Sequence, residues 1–322
     1  MVWIIVSMGL ITVILVVWLW TERWHLMLPG TWPALKWLGF RNTLTLGWHG
    51  IWYGRWTVPY IRALSGYANF FSRWERGKRL VDSTVAQRYH GKVLTHELAR
   101  AIIKIDRDIP LQDLGDRMIP YSRARDIILS ANDEYALYQC GCKTSRHEPC
   151  KVVPEKPYMT CILIGKTLVD FLLEHNPDIS RRLTRDEALE SLEKFHNWGL
   201  VHNAWFKDAL KDQFYVICNC CSCCCLGFES MRLGVKQLAP SGYVAVVNED
   251  ACRGCESILD CCPFGAIYMK DGKSHVDWDK CMGCGICESK CPNHARTLVL
   301  DAQKGLPMDV RKLGNAGIHS QA

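Results

Sequence analysis

Cys281, Cys284, Cys287 and Cys291, followed by Pro292, stand in the spacing C-x2-C-x2-C-x3-C-P. Three thiolates on one tight loop reach three iron corners of a cubane, and the fourth, at the start of a helix, points toward a neighbouring cluster. Zinc is the rival, since Cys252, Cys255, Cys281 and Cys284 also form two C-x2-C pairs. A zinc ion takes only four ligands, however, and would leave Cys262, Cys287 and Cys291 unused. The chemistry implied is one-electron transfer through thiolate-held 4Fe-4S clusters. With 18 cysteines in 322 residues the composition alone fits a disulfide scaffold equally well, and it is the spacing that favours metal.

Two further groups of cysteines stand apart from this motif. Cys140, Cys142, Cys150 and Cys161 match the ligand count of one more cubane, with Lys143, Arg146 and His147 at hand to offset its charge. Zinc or buried free thiols are the alternatives there. The run CNCCSCCC supplies Cys218, Cys220, Cys221, Cys223, Cys224 and Cys225. Neighbouring side chains diverge in any regular backbone, so this run must serve more than one site. It is expected either to give ligands to a further cluster and its neighbours or to build a non-cubane active centre.

Residues 241 to 302 hold two similar units offset by 29 positions: YVAVVNEDACRGC and SHVDWDKCMGCGIC each lead into a cysteine loop, and CCPFGAI and CPNHARTLVL each lead out through Cys-Pro into an apolar stretch. This stretch resembles the bacterial-type dicluster ferredoxin domain. The resemblance implies Cys281, Cys284, Cys287 and Cys262 around one cluster, and Cys252, Cys255, Cys291 and a residue at position 258 around the other. Position 258 is Ile258, a departure from the pattern. Three readings stay open: Cys261 as the substitute ligand, a 3Fe-4S form, or a thiolate lent from elsewhere, with Cys261 favoured because the loop ESILD is long enough to rearrange. From IPYSRARDII onward, about residues 115 to 300, the chain is similar to a wider family of 4Fe-4S dicluster-binding proteins. The partition of the eighteen cysteines into four, six and eight implies two to four 4Fe-4S clusters.

The elements expected to carry these ligands follow from composition. Residues 2 to 20 are uncharged and apolar, long enough for one transmembrane helix, so residues 1–21 are expected to cross a membrane. Arg23, Lys36 and Arg41 follow that run, which places the C-terminal part in the cytoplasm, single-pass. Residues 22–80 are rich in Trp and Arg and are expected to lie on a lipid surface or to dock another subunit. Residues 81–240 are expected to form a mainly helical, cysteine-rich domain; Thr184 and Glu187 make a capping box ahead of Ala188, Leu189, Leu192 and Phe195. A dicluster ferredoxin domain at 241–302 and a flexible tail at 303–322 complete an α+β architecture.

No phosphate-binding glycine loop and no Ser/His/Asp grouping is evident. The expected function is that of a membrane-anchored iron–sulfur electron-transport protein, more a subunit of an oxidoreductase complex than a catalytic one. Its partners would be other redox subunits, a soluble electron donor or acceptor and the lipid surface, and not nucleic acid. The alternative is an iron–sulfur reductase with its own catalytic centre at residues 218–225.

Overall fold

The computed structural model describes residues 9–14, 16–17, 27–38, 53–105, 109–110, 128–129, 134–210 and 213–312. Within them the helices are α1 (Thr31–Leu38), α2 (Tyr53–Phe71), α3 (Glu75–Val81), α4 (His96–Ile103), α5 (Gly141–Ser145), α6 (Lys166–His175), α7 (Arg185–Asn197), α8 (Leu226–Arg232) and α9 (Ile286–Lys290). The strands are β1 (Tyr89–Val93), β2 (Ile109–Pro110), β3 (Ile128–Leu129), β4 (Tyr135–Gln139), β5 (Met159–Ile164), β6 (Ser180–Leu183), β7 (Val201–Lys207), β8 (Gln213–Cys220), β9 (Leu238–Ala239), β10 (Tyr243–Val247), β11 (Ile267–Lys270), β12 (Lys273–Val276) and β13 (Arg296–Leu300).

Seven of these strands form one sheet in the order β6-β4-β5-β8-β7-β1-β9, antiparallel except for the β1–β9 pair. This corrects the expectation of a mainly helical middle domain. The cause lies in the strands themselves. YALYQ in β4 and MTCILI in β5 are buried almost throughout, so they show none of the polar/apolar alternation that marks a half-exposed strand. Helix α7, amphipathic and exposed on one side, has the Thr184–Glu187 capping box that its sequence announces.

The expected transmembrane helix is also corrected. Among the described residues no helix is long and apolar enough to cross a membrane. Of the run 2–20, residues 9–14 and 16–17 are helical, and the remainder lies outside the described residues. A span needs ~20 consecutive helical apolar residues, and an apolar composition by itself does not supply that continuity. The single-pass placement with a cytoplasmic domain falls with it. The 19-residue α2 is long enough but carries Pro59 and Arg62, and it lies against the sheet domain. Arg62 Nε donates to the Ser145 carbonyl (2.9 Å) and Ser65 Oγ to Glu229 (2.7 Å). Most of IPYSRARDII and the end of the tail fall outside the described residues.

The C-terminal unit is built from two small pairings, β10 with β13 and β11 with β12. Asp271 and Gly272, both at positive φ, turn the β11–β12 hairpin, the chemistry expected of an Asp-Gly pair. The unit is fastened to the sheet domain. Phe228 of α8 stacks on Phe264 at 4.6 Å, Lys290 Nζ donates to the Asn197 carbonyl (2.6 Å), and Cys284, Met282 and Ile286 belong to the large core.

Candidate metal centres

The eighteen cysteines gather into three groups of eight, six and four, and the membership of the two smaller groups crosses the sequence segments.

The eight lie in the duplicated unit. Cys262, Cys281, Cys284 and Cys287 line one small cavity of about 20 Å³, closed by Ala245, Ala266 and Leu298. Backbone N–H groups point at the sulfurs: Ala245 at Cys281 (3.5 Å), Ala266 at Cys262 (3.3 Å) and, in the other half, Ala295 at Cys291 (3.4 Å). The 29-residue offset carries Cys262 onto Cys291 and Ala266 onto Ala295, so the repeat extends to the N–H···S bonds. It also carries Gly254 onto Gly283. Each has positive φ, and a Cβ there would collide with the carbonyl oxygen of Gly272 or Tyr243, respectively, so only glycine fits these cysteine loops.

Ile258 answers to Cys287 in that repeat and is buried in the core that holds Cys252, Cys281, Cys287 and Cys291. A hydrocarbon thus fills the place of a ligand. Cys261 packs against the same core; burial first, then the nearby Cys287, Cys262 and Cys291, push its thiol up to about 12. Cys255 Sγ receives Asn293 Nδ2 (3.7 Å), and Ser274 beside Cys252 draws its thiol down to about 7. Arg296, which belongs to no cysteine motif and so gave no signal in the sequence, is buried here. Its Nη2 donates to Ser274 Oγ (2.8 Å), it sits beside Cys287 and Cys261, and its Nη1 finds no acceptor among the described residues. A buried guanidinium with a spare donor, amid thiols that accept backbone N–H bonds, fits an anionic iron–sulfur cluster.

The six are Cys140, Cys142, Cys161, Cys218, Cys220 and Cys225, and they close a ring. Cys140 contacts Cys142, which contacts Cys225; then come Cys220, Cys218 and Cys161, which returns to Cys140. The Cys161–Cys218 sulfurs are 3.7 Å apart. Sheet register explains the assembly. Cys161 of β5 faces Cys218 of β8, β4 runs into Cys140 beside them, and α5 and α8 begin from Cys140 and Cys225. All six line a cavity of about 280 Å³ shared with Tyr60, Tyr138, Tyr215 and Trp205.

Lys143 reaches into this group, buried, with Nζ 3.9 Å from Cys140 Sγ, 3.1 Å from Thr160 Oγ1 and 2.7 Å from the Asn219 carbonyl. Burial opposes its charge, but Cys140, Cys221, Cys220 and Cys161 together raise its pKa well above the ordinary lysine value. Arg146 lies outside the ring, donating to the Cys224 carbonyl (2.9 Å) and to Glu229 (2.7 Å).

The four are Cys150, Cys221, Cys223 and Cys224, whose sulfurs all lie within 4.8 Å of one another. Cys150 is therefore not gathered with Cys140, Cys142 and Cys161. A further trio that sequence reasoning missed, His96, His196 and His202, meets between α4, α7 and β7, with His96 Nδ1 3.1 Å from His202 Nε2. Nothing in the spacing of three separate elements signals it.

Comparison with known proteins places a 4Fe-4S binding domain at residues 274–297. Relatives include a component of the Na+-translocating ferredoxin:NAD+ oxidoreductase complex of Acetobacterium woodii, 41% identical over 19% of this chain and 20% of its own length. A selenate reductase subunit of Mesobacillus selenatarsenatis is 31% identical over 25% of this chain and 31% of its own. The pyruvate synthase subunit PorD of Methanocaldococcus jannaschii is 38% identical over 17% of this chain and 64% of its own. The matches thus span from about a fifth to about two thirds of these relatives. The chain carries a 4Fe-4S ferredoxin unit, and its cofactors are 4Fe-4S clusters.

Proposed function

We propose that this chain is an electron-transfer subunit of a multi-subunit oxidoreductase, passing single electrons between a soluble donor or acceptor and a partner subunit. The observation that carries this reading is the lining of one cavity by Cys262, Cys281, Cys284 and Cys287. When bound there, a 4Fe-4S cluster supplies reversible one-electron chemistry. The chain's own residues hold it by thiolate, donate N–H bonds from Ala245 and Ala266, and set Arg296 as the counter-charge. Cys252, Cys255, Cys261 and Cys291 would hold the second cluster, with Ile258 excluded as a ligand by its chemistry. Relatives that bear the names of oxidoreductase subunits support the assignment to a complex. Exposed Phe70 and Trp74 at the end of α2, in edge contact at 5.4 Å, offer an apolar place for such a subunit to dock.

The test is iron and acid-labile sulfide analysis of anaerobically purified protein, with EPR of the reduced state. About eight irons from the ferredoxin unit are expected, plus those held by the six-thiol ring. Colourless protein without sulfide would overturn the reading.

A second reading, an iron–sulfur reductase, is favoured by the 280 Å³ cavity on which the six thiols open. Space beside a buried sulfur ring admits a small substrate. Turnover of a small acceptor by purified protein and a reduced donor, with no partner present, would select it; electron uptake without turnover would select the first.

A further inference from the structure

We propose that Cys150, Cys221, Cys223 and Cys224 hold a single tetrahedral metal ion of the zinc type, separate from the iron–sulfur clusters. The argument is one of distance. A tetrahedral ion with metal–sulfur bonds of ~2.3 Å sets its four sulfurs about 3.8 Å apart. Here Cys150 lies 3.6 Å from Cys221 and 3.9 Å from Cys223, and Cys223 lies 3.3 Å from Cys221 and 3.5 Å from Cys224. Cys224 also contacts Cys150 and Cys221, so the four make a closed tetrahedron rather than a row. A cubane cannot use this arrangement. Its irons stand at separate corners and its thiolates radiate from them, which keeps the cysteine sulfurs farther apart than a mononuclear site does.

The surroundings suit an ion with a structural role. Four thiolates leave no open coordination position. The Val153 N–H donates to Cys150 Sγ (3.4 Å), and the Cys150 N–H is fixed by Tyr158 Oη (3.1 Å). Of the four, only Cys223 is exposed. The ion would join the loop between α5 and β5 to the turn between β8 and α8, beside the Cys142, Cys220 and Cys225 that line the six-thiol ring.

Metal analysis of the full-length, anaerobically purified protein tests this. About one zinc per chain is expected beside the iron. Cys223→Ser, at the exposed corner, should lose that zinc while iron, sulfide and the EPR signals of the clusters stay as in the wild type. Because cluster EPR reports on the electron-transfer reading and zinc on this one, the two fail separately. Should a variant fold poorly, wild-type protein exchanged with cobalt(II) gives an independent readout. Tetrahedral thiolate-to-cobalt bands in magnetic circular dichroism would support the site. A single iron without sulfide would also support the one-ion geometry, with iron in zinc's place. Loss of iron and sulfide together in Cys223→Ser, or neither zinc nor a cobalt signal in the wild type, would overturn it.

Discussion

Cys218 and Cys220 are two residues apart on β8 and share its face, while Cys221, the next residue, begins a turn and looks the other way. One residue of offset sends sulfur to two different thiol groups. At this scale Lys143 is the most consequential group outside the thiols, because it places a cation among Cys140, Cys161 and Cys220. A reduced centre in the ring carries one more negative charge than its oxidised form, and the lysine stabilises that form. Lys143→Met should therefore lower the ring centre's potential by tens of millivolts, where ~59 mV is a tenfold change for one electron. An EPR-monitored redox titration reads this, and an unmoved midpoint would remove Lys143 from that role. Cys261 has its own test: Cys261→Ser should alter the signal of one ferredoxin cluster and spare the one held by Cys281, Cys284 and Cys287, whereas unchanged spectra would deny Cys261 a ligand's place. That the cysteine run must divide could be read from adjacency alone. Which partner each sulfur meets could not, since the Cys161–Cys218 pairing depends on the register of β5 against β8.

Among the elements, α7 was legible because its apolar residues recur at helical spacing behind a complete capping box, and Thr184→Ala should cost about 1 kcal/mol in denaturant unfolding. The sheet was hidden by its own burial: a strand covered on both faces has no period for a sequence to display. Burial also governs the histidine trio. It pushes His202 down to about 3 and His196 to about 4, with the nearby His96 and, for His196, Lys290 acting the same way; Asn219 opposes the shift at His202 and Glu193 opposes it at His196. Both imidazoles stay neutral in the folded protein while the unfolded chain protonates near pH 6.5, so stability present above that pH is lost as pH falls below it. Each should contribute a loss of about 1.4 kcal/mol between pH 8 and pH 5.5. Guanidinium unfolding at the two pH values measures it. His196→Gln should reduce the difference by about 1.4 kcal/mol, and a pH-independent midpoint in the wild type would contradict the buried neutral state.

For the whole molecule the question is whether the ferredoxin unit and the sulfur-rich end of the sheet work in series. Their contact is a packed one: Cys284 shares a core with Cys220 and Cys225, and the Phe228–Phe264 stack joins the helix that begins at Cys225 to the segment that follows Cys262. The repeat in the last third of the chain was visible as a 29-residue offset, but its attachment was not, because Phe228, Phe264, Lys290 and Asn197 are ordinary residues whose meeting is decided only by the fold. Electrons handed from one region to the other would cross this packed contact. Removing one ferredoxin ligand should then interrupt delivery without touching the destination. In Cys287→Ala a protein donor should no longer reduce the ring centre on the timescale seen in the wild type, whereas a small, diffusible reductant should still do so, as followed by rapid-freeze EPR. Equal rates of reduction by the protein donor in both proteins would mean that the two regions receive electrons independently, and that the fold holds two separate redox sites rather than one path.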